Sequence, residues 1–453
     1  VTVSGVFLDR TSTEMLVVFP EEYSRFQKGS LSSGFLRSDG VVIENLIASF
    51  WYHNMSSALR VIRVISLGMV LGSVTENPTL RLPVYYRELY DHGKHDYAIV
   101  ASMKVDGQAV SPLVDTGSPL LFFIEKTYLQ RTLSSESCQG FIYGCYECHT
   151  DVFKQKVTIT EHCDGTCAYT VQHRSTLELG GRVAPDVDFG LVVGYTPNDS
   201  TPHASLGLAP RYDGGPTPLI DQLIDKGAIN RADFSIYFKP DNPNEGELIL
   251  GGEDPRGQMM IAPLAVEGEW TVNLGSLRAG GTLISRPMPL HIDSGTSRLW
   301  LPREVFHTLW QALEKKASEA SGQATEFKVD EENRVLALSH RSHRLHLPPL
   351  ELHFRDKLGG ASTIVIPPEF YVQTFDLVES KTAILLWHIP EDFPNEAFLG
   401  LGLLRKYRLH FLYNDREIRF SEVTQNKDFP DIVQTARRPQ GRRRAARTLE
   451  TYL

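Results

Sequence analysis

Asp115-Thr116-Gly117-Ser118 is nearly repeated as Asp293-Ser294-Gly295-Thr296, and this duplication constrains the fold more than any other feature of the chain. Each copy follows an apolar run, Pro112-Leu113-Val114 before the first and Leu290-His291-Ile292 before the second. Each carboxylate therefore falls where a strand enters a tight turn. A single Asp before Ser/Thr-Gly is an ordinary turn residue that bonds its own backbone. Here the order of landmarks repeats as well: Ser205-Leu206-Gly207-Leu208-Ala209 follows the first Asp, and Phe398-Leu399-Gly400-Leu401-Gly402 follows the second. Such repetition signals two lobes built on one plan.

Two turns of this kind are able to bring two carboxylates together. Carboxyl groups about 3 Å apart cannot both ionise, so one acts as a base toward water while its protonated partner is an acid toward a carbonyl. Gly117 and Gly295 permit a turn that a side chain would resist. The hydroxyls of Thr116, Ser118, Ser294 and Thr296 are short groups suited to fixing the carboxylates or the backbone around them.

On these motifs, over residues 97 to 423, the sequence resembles the pepsin-like aspartic proteases. In that family each lobe carries Asp-Thr-Gly on a loop crossed by an apolar-apolar-Gly strand. Residues 206–253 resemble its passage between lobes, through Pro218-Leu219-Ile220-Asp221-Gln222-Leu223, Phe234-Ser235-Ile236-Tyr237 and Gly246-Glu247-Leu248-Ile249-Leu250-Gly251-Gly252. Glu269-Trp270-Thr271-Val272, Leu347-Pro348-Pro349-Leu350 and Leu403-Leu404-Arg405-Lys406-Tyr407 follow in order. The resemblance implies a mostly β, bilobal fold with a cleft between two pseudo-repeated lobes. It also implies that Asp115 and Asp293 bind the attacking water and exchange the roles of base and acid. Thr116 and Ser294 would interlock the two loops, and Ser118 and Thr296 would bond the outer carboxylate oxygens. No covalent enzyme intermediate, cofactor or metal is expected.

The chain departs from that pattern around the flap. Pro119-Leu120-Leu121-Phe122-Phe123 stands where the family has Ser-x-x-Trp, and there is no Tyr-Gly-Thr-Gly. Turn chemistry places a hairpin over 157–171, with Val157-Thr158-Ile159-Thr160 leading to Asp164-Gly165 and Ala168-Tyr169-Thr170-Val171 returning. Tyr169 is the candidate flap tyrosine, while Glu161 falls where an Ile-Thr-Tyr alignment puts it.

All five cysteines, Cys138, Cys145, Cys148, Cys163 and Cys167, lie in this region. Two short-spaced pairs fit a zinc site, but a secreted chain favours disulfides, and some pepsin-like relatives carry a cysteine-rich insert before the flap. The odd number leaves one thiol over or signals a lost partner, the connectivity is open, and a Cys163–Cys167 bridge could stiffen the flap tip.

Residues 55–75 combine Arg60 and Arg63 with a short apolar stretch and small residues, the pattern of a signal peptide. The division expected is an upstream leader or non-native sequence over 1–54, a signal peptide over 55–75, and a short prosegment or first strand over 76–94. The N-terminal lobe then spans 95–240, the C-terminal lobe 241–423, and a basic, disordered tail 424–453. Lys94 is the basic residue near enough to serve a prosegment contact with the aspartates. Asn198-Asp199-Ser200 is a glycosylation sequon if the chain is secreted.

A formal net charge of -9 argues against nucleic-acid binding and for solubility, and no apolar run after residue 75 is long enough to span a membrane. Residues 302–318 read as a helix, with Val305, Leu309, Leu313 and Ala317 four apart. His340, His343, His346 and His353 cluster without regularly spaced acidic ligands and fit an ordinary strand pair. The functional expectation is a monomeric aspartic endopeptidase acting on extended polypeptides, in the secretory pathway, secreted or in an acidic vacuolar or endosomal compartment. The alternatives are a catalytically weak pepsin-like binding or inhibitor protein, and a cysteine-rich adhesion or structural module.

Overall fold

Leu80, Leu82, Val84 and Tyr86 alternate with Arg81, Pro83, Tyr85 and Arg87, the period of two that gives a strand one buried face. The strand is Leu80–Asp91, and those four alternating residues are buried. It pairs antiparallel with Glu245–Leu250 on one side and Lys94–Ala101 on the other.

The computed structural model describes residues 78–423, apart from 92–93, 134–137, 151, 163–164, 198–200, 213, 254–258, 339–340, 358, 376–380 and 391–394, together with two short strands nearer the N-terminus. Those two, Val6–Leu8 and Met15–Val17, form an antiparallel pair within a separate unit over residues 1–76. The signal segment over 55–75, Cys163, Asp164, Asn198, His340, the basic tail and the rest of the leader lie outside the described residues.

Over the described residues from 78 to 423 the chain is mostly β and bilobal, built on two major sheets. The larger, of fifteen strands, contains Leu113–Asp115, which ends in the first motif. It runs on through Glu245–Leu250 and Phe234–Phe238 to Tyr407–Leu412, Glu417–Glu422 and Met260–Pro263, so strands from both ends of the described region meet in one sheet. The second, of eight strands, contains Met288–Asp293, which ends in the second motif. A four-stranded sheet includes Phe327–Asp330 and Val335–Leu338.

The long helix is Arg303–Ser321, preceded by Pro302 and closed by Gly322 in the left-handed region at φ 70°. Pro suits the entry because its φ is preset, and Gly the exit because no Cβ opposes a positive φ. Phe306, Leu309, Leu313 and Ala317 form its buried face. Val305, expected on that stripe, is only partly buried at its margin, because steps of 3, 4 and 4 residues through Phe306, Leu309, Leu313 and Ala317 average about 3.7, nearer the 3.6-residue period than an unbroken run of fours.

Candidate active site

Each motif lies at the end of a strand laid parallel to a crossing strand. Ser205, Leu206 and Gly207 pair with Leu113, Val114 and Asp115, and Phe398, Leu399 and Gly400 pair with His291, Ile292 and Asp293. In both lobes the glycine stands opposite the aspartate. A Cβ on Gly207 would lie 2.4 Å from Leu120 N, and one on Gly400 would lie 2.6 Å from Thr296 O. The crossing strand passes so close to the loop that only glycine fits, which is the physical content of the apolar-apolar-Gly pattern.

Four hydrogen bonds lock the two loops together. Thr116 Oγ1 donates to Ile292 O at 2.8 Å and accepts from Ser294 N at 2.9 Å. Ser294 Oγ donates to Val114 O at 2.6 Å and accepts from Thr116 N at 2.9 Å. Both hydroxyls are buried, and each satisfies a donor and an acceptor of the opposite loop. The arrangement has the two-fold character expected of a duplicated unit.

The same lock brings the carboxyls together. Asp115 Oδ1 accepts from Gly117 N at 2.9 Å and Asp293 Oδ1 from Gly295 N at 2.8 Å. A Cβ on Gly117 would meet Asp293 Oδ1 at 2.7 Å, and one on Gly295 would meet Asp115 Oδ1 at 2.6 Å. Each glycine thus lies against the other lobe's carboxyl.

Both aspartates keep some surface toward solvent, but their carboxyls are densely ringed by protein, and that crowding governs their desolvation. Burial, followed by the charge of Asp293, pushes Asp115 up to about 8 against the amides of Gly117 and Ser118. Burial also pushes Asp293 up, while the Gly295 amide, the charge of His291 and the Gly117 amide pull it down. Ser205 Oγ, fully buried, faces Asp115 without closing a well-formed hydrogen bond. Two adjacent carboxyls with displaced ionisation can share one proton across an acidic to neutral range.

The remaining sequence candidates fall as follows. Ser118 Oγ accepts from Leu120 N at 3.2 Å, and Thr296 Oγ1 accepts from Trp300 Nε1 at 2.7 Å. Tyr169 lies in the hairpin of Val157–Glu161 and Cys167–Leu179, opposite Ile159. It lines a pocket of about 420 Å³ with Tyr128, Thr132, Val157 and Gly194. Among the described hairpin residues, His162 has its ring centroid 6.2 Å from that of Phe122, on the strand after the first motif, and 4.9 Å from that of His203. Glu161 is exposed.

Cys138 and Cys145 form a disulfide with their Cα atoms 5.4 Å apart, which removes Cys145 from any four-thiolate zinc site. Cys148 and Cys167 are free thiols, and Cys163, the other half of the expected flap-tip bridge, lies outside the described residues. The Cys148 sulfur lies 3.8 Å from His173 Nδ1. His343 and His346 fall on the short helical turn Arg341–His346, while His353 lies on the strand Leu350–Arg355 and contacts Thr363 Oγ1 at 2.8 Å.

Three contacts have no counterpart in the sequence expectations. Trp300, seven residues after Asp293, occupies the place that Phe122 holds after Asp115, and each pairs with its crossing strand. Arg298, buried at 5 % exposure, donates to Asp96 at 2.8 Å and to the carbonyls of His95, Asn333 and Arg334. His291, two residues before Asp293, joins Thr271 and Glu396. The sequence does contain a signal for the last, since His291 interrupts an apolar run that Leu113 continues in the first copy.

A bilobal β protein whose interlocked loops present two adjacent aspartates defines the class of pepsin-like aspartic proteases. Residues 96–423 match the family described as eukaryotic aspartyl protease, and the chain belongs to that family. It is similar to human napsin-A, 26% identical over 223 residues that make up 44% of this chain and 50% of that protein. It is 24% identical to secreted aspartic protease 8 of Candida albicans over 239 residues, 49% of this chain and 56% of the relative. A shorter stretch of 97 residues, 20% of this chain and 25% of the relative, is 38% identical to rhizopuspepsin-1 of Rhizopus niveus. The chain spans about half the length of napsin-A and of the Candida protease.

Proposed function

We propose that the chain is an aspartic endopeptidase that hydrolyses extended polypeptides by acid/base activation of water, with Asp115 and Asp293 as the dyad. The observation that carries this reading is the mutual lock of the two loops, which sets each motif's glycine against the other's carboxyl. In the reaction the ionised carboxylate takes a proton from water as it attacks the scissile carbonyl. The protonated partner hydrogen-bonds the carbonyl oxygen, and the proton then passes to the leaving amine. The hairpin over 157–171 acts as the flap, with His162 against Phe122 rather than Tyr169 as its inward contact.

The disulfide favours an oxidising compartment, in keeping with a relative named as a secreted protease and with a signal segment over 55–75. Among the described residues no helix is long and apolar enough to cross a membrane. The chain acts as a monomer whose partner is the polypeptide substrate.

Purified protein incubated with a diverse peptide mixture from pH 4 to 7 tests the proposal, with cleavages identified by mass spectrometry. Cleavage lost in Asp115→Asn and blocked by a statine-type inhibitor is the expected outcome. Folded protein that cleaves nothing would favour the pepsin-like binding protein.

A further inference from the structure

The two lobes differ two residues before each aspartate. Side chains alternate along a strand, so that residue shares a face with the carboxyl. It is Leu113 in the first lobe and His291 in the second. His291 lies on Met288–Asp293, flanked by Thr271–Ala279 and Ala397–Gly400.

The imidazole is fixed from three directions. It stacks on Phe398 with centroids 4.5 Å apart and planes 13° from parallel. Nδ1 lies 2.7 Å from Thr271 Oγ1 and 3.7 Å from Glu269 Oε2, and Nε2 makes a short contact with Glu396 Oε2. The charged or titratable groups facing it are therefore Glu269 from one neighbouring strand's entry, Glu396 from the other's, and Asp293 on its own strand. Asp115 follows across the interlocked loops. The imidazolium form would have a carboxylate on each side.

We propose that His291 is a positioning residue of the dyad: held between Glu269 and Glu396, it favours Asp293 as the ionised member and leaves the shared proton on Asp115. This rests on the aspartic-protease reading. The charge of His291 is among the influences holding Asp293 down, whereas Asp115 feels the opposing charge of Asp293 itself. Leu113 offers the first lobe no such charge.

Residues two apart on a strand are separated by about 6.6 Å, and a unit charge at that distance moves a carboxyl's titration by about two pH units inside a protein and by about one where the cleft's solvent adds to the screening. Removing a cation disfavours the carboxylate, so Asp293 then needs a higher pH to ionise. With His291→Gln, or His291→Met should the first not fold, the acidic limb of the kcat/KM profile is expected to rise by about one pH unit. His291→Lys, which retains a positive charge, should keep the wild-type limb. A limb unmoved in the neutral variants, or moved equally by Lys, overturns the inference, because a purely structural role would not follow charge.

A parallel readout needs no turnover. In full-length protein with carboxyl-labelled aspartate, the Asp293 signal should titrate at higher pH in the neutral variant than in wild type, with Asp293→Asn assigning the signal. If wild type cleaves nothing but this titration moves as stated, the protease reading fails and the inference about His291 stands. If cleavage is Asp115-dependent and the titration does not move, the inference fails and the protease reading stands.

Discussion

Thr116 and Ser294 act through hydroxyls that no apolar side chain of the same shape replaces. Thr116→Val leaves Ser294 N and Ile292 O without their partners in a buried place, a loss of about 1–3 kcal/mol. Equilibrium denaturation should show that loss, and the cleavage rate should fall with it. Asp115 gives a prediction of opposite sign for stability. Its folded-state affinity for a proton is raised to about 8, from an ordinary value of 3.8, so between those pH values the folded chain holds more protons than the unfolded chain. The group's stabilising contribution is complete below about pH 4 and is lost as the pH rises through about 8. Asp115→Asn should therefore melt higher than wild type at pH 7, with the gap closing toward pH 4, while cleavage falls by a factor of about 10² or more. Calorimetry and a peptide assay on the same preparation test both statements. These aspartates and hydroxyls were legible because the four-residue motif occurs twice. The second lobe's histidine was visible as an interruption, but its partner Glu396 lies 105 residues away and nothing local pairs them.

At the scale of elements, the crossing strands carry the sharpest expectation. Gly207→Ala sets a methyl group 2.4 Å from Leu120 N and from Pro119 C, so the loop bearing Asp115 has to move. We expect a loss of about 3 kcal/mol or more, by analogy with other overpacked sites, together with lost cleavage. Gly140 is a control, because nothing lies within 4 Å of its would-be Cβ. Gly140→Ala should change stability by less than about 0.5 kcal/mol. Urea denaturation of the two variants decides this. The hairpin over 157–171 was legible from its β-rich arms, yet the placement of Tyr169 was not. Whether a hairpin residue faces Phe122 or the helix Lys126–Leu133 depends on strand register, and a shift of one residue exchanges the two faces. The long helix was read correctly in extent to within a few residues, while Phe306 takes the place on the buried face that the stripe of fours gave to Val305.

Over the whole molecule, Arg298 ties the strand that opens the family region to the second lobe. It donates to Asp96 and to His95 O from one side of the sequence, and to Asn333 O and Arg334 O from the other. Tyr97 OH donating to Thr374 O and His95 N donating to Asn333 Oδ1 reinforce the same junction. Arg298→Met should cost on the order of 3 kcal/mol, because it strands several buried acceptors at once. The pair of Arg174 with Asp188 has a comparable 2.7 Å contact but is largely exposed, so Arg174→Met should change stability by no more than about 1 kcal/mol. Thermal melts of both variants measure the contrast.

The sequence by itself determined the duplicated motif, the crossing glycines, the mostly β character and the family, because each is written in short stretches whose chemistry is local or repeated. The tertiary structure decided which hydroxyl meets which carbonyl, which hairpin side chain meets Phe122, where Arg298 finds its acceptors and that His291 sits between Glu269 and Glu396. Those contacts join segments far apart in the chain, and their geometry exists only once strand register and the junction between the lobes are set.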